Sequence, residues 1–303
     1  MSVGWKEPVN LLLSRTVGYQ LTRPPGHRER RLPPPSGDRM LVAPVFIFSS
    51  ARSGSTLLRA ILNAHSRLYG PPELPLMHLS VRAETRWIKV SLWALELTQN
   101  EVDNMLWDRV LADTLARSGK PVIVVKTPSN VLIWERIGDC WPDARFIFLL
   151  RHPAAVVASM RASFDPDWHA DKTGGVEESV RNAHLYMAKV EEARLALPGM
   201  TVRYEELTAK PEKVARGLCE FLGVPYEPGM LEYGQFADVR FAPGLGDASE
   251  KIRSGRIHPS APPPRAQQLS PALTKMCASW GYLAADGEPD GSKVAGLADW
   301  ESG

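Results

Sequence analysis

"VFIFSSARSGSTLLRAILNAHSRLYGPPELP", residues 45–75, decides the fold. It opens on an apolar run of strand length, passes through a Gly/Ser-rich turn and enters a stretch with helical spacing. Small residues at a strand-to-helix turn let backbone N–H groups face an anion, and the helix N-terminus adds a favourable dipole. The turn from Ser49 to Thr56 therefore reads as a phosphate cradle, although a turn of this composition also serves simply to join strand to helix. A nucleoside-triphosphate loop would read GxxxxGK[ST], its lysine on the terminal phosphates and its hydroxyl on magnesium. Here the first glycine is missing, Ser55 stands where that lysine belongs, and Arg52 lies four residues before Thr56. The cradle is not built for ATP.

Working outward, three more apolar runs of strand length follow: "VIVV" (122–125), "FIFLL" (146–150) and "MTVRY" (200–204). Continuous apolar runs mark strands covered on both faces, which predicts a three-layer α/β/α fold around a parallel sheet. The stretch 176–197 is predicted helical, and so is 210–224, ended by Gly223 and Pro225. Between the first two strands lies a long insert with helical spacing whose Trp87, Trp93, Met105 and Trp107 are expected mostly in the core. Three domains of organisation emerge. Residues 1–40 combine a short helix (5–21) with a basic, proline-rich linker (23–39); residues 41–283 form the compact domain; residues 284–303 are small, polar and glycine-rich, read as a disordered tail.

Composition narrows the function classes. The 303 residues, 44% hydrophobic and 23% charged, can bury a sizeable core. Cys140, Cys219 and Cys277 are odd in number and far apart, which suggests neither a disulfide framework nor a zinc site and fits a reducing, cytoplasmic setting. No run approaches the roughly 18 apolar residues of a membrane span, and no signal peptide is recognisable. The net charge of +2 hides an N-terminal surplus: seven Lys/Arg against three acids in residues 1–40. That segment is a candidate docking arm for a partner protein, an acidic carrier or a membrane surface, with a plain solvated extension as the alternative. The remainder is too balanced for a nucleic-acid groove.

Further site candidates sit at predicted strand ends. Arg151 follows "FIFLL", and Ser159 in "RHPAAVVAS" falls about two turns into the next helix, so both reach the carboxyl edge of the sheet and suit a phosphate fork. Taken alone, such a pair reads equally as a surface arginine and a helix serine. Tyr204 reads by itself as a half-buried strand tyrosine.

In their order, these segments resemble the sulfotransferases that use 3′-phosphoadenosine 5′-phosphosulfate (PAPS), over about residues 44–256. The likeness is nearest to bacterial stand-alone or polyketide-type members and to tyrosylprotein sulfotransferases. "SSARSGSTLL" is similar to the 5′-phosphosulfate loop, "RHPAAVVAS" to the 3′-phosphate motif, and "VRYEELTAKPEKVARGLCEFLGVP" to the tyrosine-containing strand and following helix. The resemblance implies that Arg52, Ser53, Gly54, Ser55 and Thr56 hold the 5′-phosphosulfate, that Arg151 and Ser159 hold the 3′-phosphate, and that Tyr204 packs near the adenine. "KIRSGR" (251–256) resembles the late basic loop, bringing Lys251, Arg253, Ser254 and Gly255, with Arg256 at its end.

"VVKTPSN" follows the second strand. Many cytosolic members have a KTH stretch here with a histidine base, but Pro128 fills that position. The tyrosylprotein and carrier-bound-substrate branches place a glutamate after the loop helix, and "YGPPEL" supplies Glu73. Glu73 is thus the expected general base, its alternative being a helix-start residue favoured by the dipole; His78, His169 and His258 stand in reserve. Arg52 would stabilise charge on the leaving group and Lys126 would lie near the transferring sulfuryl group, with no metal required. "GPPELPLM" resembles the "PPELH" segment of polyketide-synthase sulfotransferase domains, with Pro75 in place of the histidine. The expected function is sulfuryl transfer from PAPS, leaving PAP (3′,5′-adenosine bisphosphate), to a hydroxyl of a small-molecule or carrier-bound acceptor in secondary metabolism. Residues 77–110 and 163–175 are expected to line the acceptor pocket. The alternatives are a P-loop phosphotransferase and a catalytically inactive PAP-binding scaffold.

Overall fold

A computed structural model describes residues 39–162, 175–235, 246–247, 249–262 and 270–283, all within one compact unit, Asp38–Gly303. The segments 1–38 and 284–303, most of the 163–175 loop and His169 lie outside the described residues.

Five parallel strands form the central sheet in the order β2-β3-β1-β4-β5. They are β1 (Val45–Ser49), β2 (Leu68–Tyr69), β3 (Val122–Lys126), β4 (Arg145–Leu150) and β5 (Gly199–Arg203). Their side chains divide by parity, as the pleat requires. Phe46, Phe48, Phe146 and Phe148 gather on one face with Trp141, ring centroids 5.3–6.5 Å apart. Val45, Ile47, Ile147, Leu149 and Val202 face the other side.

Each face has its helical cover. Ala183, Met187 and Val190 of the long helix Gly175–Ala196 lie in the phenylalanine-rich cluster. The aliphatic face takes Leu57, Leu58, Ile61 and Leu62 from α1 (Ser55–Ala64), and Val214, Leu218 and Leu222 from Pro211–Leu222. Gly223, at φ 67°, closes that last helix as expected. The helical insert corrects one expectation. Trp107 is buried at 1% exposure, but Trp87 and Trp93, on α2 (Arg86–Ala94), remain 83% and 63% exposed, and Met105 is half exposed. The helix carrying the two exposed tryptophans buries no residue.

Strand register sets the site. Ser49 pairs with Leu149, Ile47 with Lys126, and Leu150 with Arg203. The residues that follow β1, β4 and β5 therefore emerge side by side at the carboxyl edge, where α/β proteins bind ligands.

Candidate functional site

The β1–α1 turn is the centre of that edge. Arg52 has φ 63° and Gly54 has φ 86°, so the backbone passes through the left-handed region twice within three residues. For Arg52 this costs on the order of 1–3 kcal/mol, a strain typical of ligand-holding loops. At Gly54 any side chain is excluded, because an added Cβ would lie 2.2 Å from Cδ2 of Tyr204. The tyrosine ring thus lies against the glycine of the loop. Tyr204 is the first residue of a short helix, Tyr204–Ala209, rather than the end of a strand.

Arg151 joins the same group. Its Nη1 donates to the Arg52 carbonyl at 2.7 Å, and its guanidinium lies 4.7 Å from the Tyr204 ring centroid. Arg52 Nε donates to Ser159 Oγ at 3.3 Å, Ser159 lying on α3 (Pro153–Ala162). Residues expected at opposite ends of the donor, Arg52 at one phosphate and Arg151 with Ser159 at the other, are in contact. Burial raises the Tyr204 phenol above its ordinary pKa, an effect opposed by Arg151.

Deeper in the edge, Lys126 ends β3 at 1% exposure. It forms an ion pair with Glu73 and donates to Thr56 Oγ1 at 3.4 Å. Burial lowers the Lys126 pKa, and the Glu73 carboxylate works against that shift. Glu73 starts no helix: the nearest helical turn is Leu76–His78, and the carboxylate is spent on Lys126. His78 and His258 are exposed, the latter bonded to Ser254.

The late basic loop is held by local contacts, among them Tyr233 Oη donating to Arg256 O at 3.0 Å. Ser254 Oγ donates to Lys251 O at 2.7 Å, and Gly255 packs so closely on Gly234 that neither position has room for a Cβ. Lys251 and Arg253 are exposed. Sequence reasoning missed a nearer neighbour, the pair Gly246-Asp247. A Cβ on Gly246 would lie 3.0 Å from Thr56 Oγ1 and 3.3 Å from Glu73 Oε1, and the Asp247 amide donates to Thr56 Oγ1 at 3.0 Å.

The residues fit an anionic nucleotide. Ser53 Oγ and Arg151 Nε are buried without a partner among the described residues, in a cradle otherwise furnished with Arg52 and Lys126. Buried donors left open cost about 1–3 kcal/mol each unless a ligand or water meets them. Among the described residues no group of His, Cys, Asp and Glu could hold a metal ion.

A parallel sheet whose carboxyl edge gathers cations around a loop lacking the ATP-binding lysine is the frame of an anion-binding α/β protein. The sulfotransferase family profile matches residues 44–228, and the chain belongs to that family. The protein-tyrosine sulfotransferase of Drosophila melanogaster is 25% identical over 204 residues, covering 63% of this chain and 40% of the fly protein. Nodulation protein NoeE of Sinorhizobium fredii is 26% identical over 217 residues, covering 62% and 51%. The chain spans about half the length of the relatives it matches. Among solved structures, the sulfotransferase domain from the curacin biosynthetic pathway aligns with a TM-score of 0.54 at 24% identity, over 80% of this chain and 98% of the domain. The domain from the Synechococcus PCC 7002 olefin synthase aligns with a TM-score of 0.52 at 25% identity, over 80% and 96%. No helix among the described residues is long and apolar enough to cross a membrane.

Proposed function

We propose that the protein transfers a sulfuryl group from PAPS to a hydroxyl of a small-molecule or carrier-bound acceptor, with Glu73 as general base. The carrying observation is the Glu73–Lys126 ion pair set against the hydroxyl of Thr56 on the phosphate loop. It joins a proton acceptor and a buried cation beside the phosphate loop.

Arg52, Ser53, Gly54, Ser55 and Thr56 would hold the 5′-phosphosulfate, Arg151 and Ser159 the 3′-phosphate, and Tyr204 the adenine side. Lys251, Arg253, Ser254 and Gly255 would complete the 3′ side. When bound, PAPS supplies the sulfuryl group and leaves as PAP. Glu73 accepts the proton of the acceptor hydroxyl; Lys126 and Arg52 meet negative charge with fixed cations, so no reorganisation is needed as the charge develops. The absence of an imidazole at Pro128 leaves the carboxylate as the base. The likeness to sulfotransferase domains of a biosynthetic pathway and of an olefin synthase is in keeping with a metabolite as the acceptor class.

Two measurements test this reading. PAP should raise the melting temperature where ATP with magnesium does far less, a ligand at a hundred times its dissociation constant adding about 2.7 kcal/mol. With an acceptor drawn from a hydroxyl panel, Glu73→Gln should lower single-turnover transfer by about 10²- to 10⁴-fold at nearly unchanged PAP affinity. Near-wild-type transfer by Glu73→Gln, with loss in His78→Ala, His169→Ala or His258→Ala, would move the base to that histidine. Stabilisation by ATP rather than PAP would point to phosphoryl transfer instead.

A further inference from the structure

The helix that begins at the phosphate loop carries a charge into the interior. All ten residues of Ser55–Ala64 are buried, and among them Arg59 is 2% exposed. Burying a guanidinium is costly unless its donors are met, and arginine is the cation best suited to such a place because its charge is weakly hydrated. Among the described residues no carboxylate is hydrogen-bonded to Arg59. Its Nη1 donates to the carbonyls of Gly70 and Pro71 at 2.8 and 3.2 Å, and its Nε has no partner among the described residues. Both carbonyls belong to the segment that leads directly into Pro72 and Glu73.

The grip is close and two-sided. A Cβ on Gly70 would lie 2.9 Å from Arg59 Cγ and 3.3 Å from Asn63 Cβ, so only glycine lets the chain approach the helix this nearly. One turn along the same helix, Asn63 Oδ1 accepts the Gly70 amide at 2.9 Å. Beyond Glu73, Thr127 Oγ1 accepts the Leu74 amide at 2.9 Å, and Asn130 accepts the Leu76 amide at 2.9 Å while donating to the Leu74 carbonyl at 3.2 Å. Glu73 is therefore suspended between the helix that starts at Thr56 and the turn that follows Lys126.

We propose that Arg59 is the positioning residue of Glu73: through the Gly70 and Pro71 carbonyls it fixes the backbone from which the carboxylate reaches Lys126. This inference rests on reading Glu73 as functional. A methionine of similar reach would fill the space yet leave both carbonyls without their donor, which is why an apolar residue does not serve. Burial lowers the Arg59 pKa, and the largest opposing influence is the Glu73 carboxylate, consistent with the two charges lying near one another.

The test uses the full chain without any acceptor. In Arg59→Met, amide exchange over residues 70–76 should quicken by about tenfold or more, while β1 and the Ser55–Ala64 helix keep their protection. The carboxyl ¹³C resonance of Glu73, assigned by its disappearance in Glu73→Gln, should shift in Arg59→Met and return toward the wild-type position in Arg59→Lys, which restores a donor and a cation. PAP affinity should change little. Unchanged protection of 70–76, loss of protection spread through β1 and the helix, or a Glu73 resonance that does not move would each overturn the proposal. Should Arg59→Met fail to fold, Arg59→Lys and Asn63→Ala carry the same readouts, with partial loosening confined to 70–76 as the expected result. Because no turnover is measured, the outcome is separate from whether Glu73→Gln slows transfer: a localised loosening with an active Glu73→Gln enzyme would refute the base and leave the clamp.

Discussion

Arg52 Nη2 lies 3.6 Å from Asp247 Oδ2, and the amide of the same aspartate is bonded to Thr56 Oγ1. The Asp247 carboxylate thus rests on one residue proposed for the phosphosulfate, Arg52, and the Asp247 backbone on a second, Thr56. Both side chains are near 30% exposed, so the pair itself contributes only about 0–1 kcal/mol. An incoming anion, however, meets a like charge at the cradle. Asp247→Asn is expected to tighten PAP binding by up to about tenfold, one order of magnitude corresponding to about 1.4 kcal/mol. Calorimetric titration checks it, and equal or weaker binding would show that the carboxylate does not compete.

Gly54→Ala should harm both the fold and the cofactor site. The substitution forces an alanine to φ 86° and sets its Cβ against the Tyr204 ring. Left-handed backbone alone costs an L-residue roughly 1–2 kcal/mol. A lowered melting temperature together with weaker PAP binding is expected; Tyr204→Ala in the same background should recover part of the stability and none of the affinity.

The four expected strands were legible because each is a continuous apolar run, and observed bounds differ from the expected ones by at most a residue at either end. β2 was not, since two residues, Leu68 and Tyr69, show no periodicity of their own; they become a strand only by pairing with Val122 and Ile123. The insert was misjudged for a related reason. Tryptophan spacing reports which positions share a helix face, but whether that face is covered depends on what packs against it, and Arg86–Ala94 leaves Trp87 and Trp93 exposed. Arg59 did leave a signal: a lone charge within "TLLRAIL", on a helix otherwise fit for the interior. Its partners, two backbone carbonyls, leave none in any side-chain pattern.

Those tryptophans separate two mutational outcomes. Trp107→Ala should destabilise by about 3–5 kcal/mol, since it empties a buried site and removes the indole donor to Leu79 O at 2.6 Å. Trp87→Ser and Trp93→Ser should stay within about 0.5 kcal/mol of wild type. Urea unfolding midpoints decide it, and a large loss at Trp87 or Trp93 would mean that the face is covered in solution.

His152 provides a pH prediction. Burial lowers its pKa from the ordinary 6.5, with Glu205 opposing, and its Nδ1 has no partner among the described residues. Its surroundings include Glu205, which accepts the His152 amide, and Tyr282, whose ring centroid is 5.1 Å from the imidazole. The unfolded chain therefore binds the proton more readily than the folded one, so this group lowers stability as pH falls through 6.5 towards the depressed folded value. His152→Phe should flatten that part of the stability profile, read as a smaller difference in unfolding midpoint between pH 7.5 and 5.5. An identical difference in wild type and variant would refute it.

The place of β1 in the sheet governs the order of events on the ribosome. Val45 pairs with Val124 on one side and with Arg145 on the other, so the phosphate loop is synthesised long before either neighbouring strand exists. Non-local pairings of this kind are slow to form, and chains fold as they emerge only when the partners are already out. A nascent chain stopped short of Val122 holds the whole loop and neither of the strands that pair with β1. An anion held by this loop is therefore a ligand of the assembled sheet and not a template for the early chain.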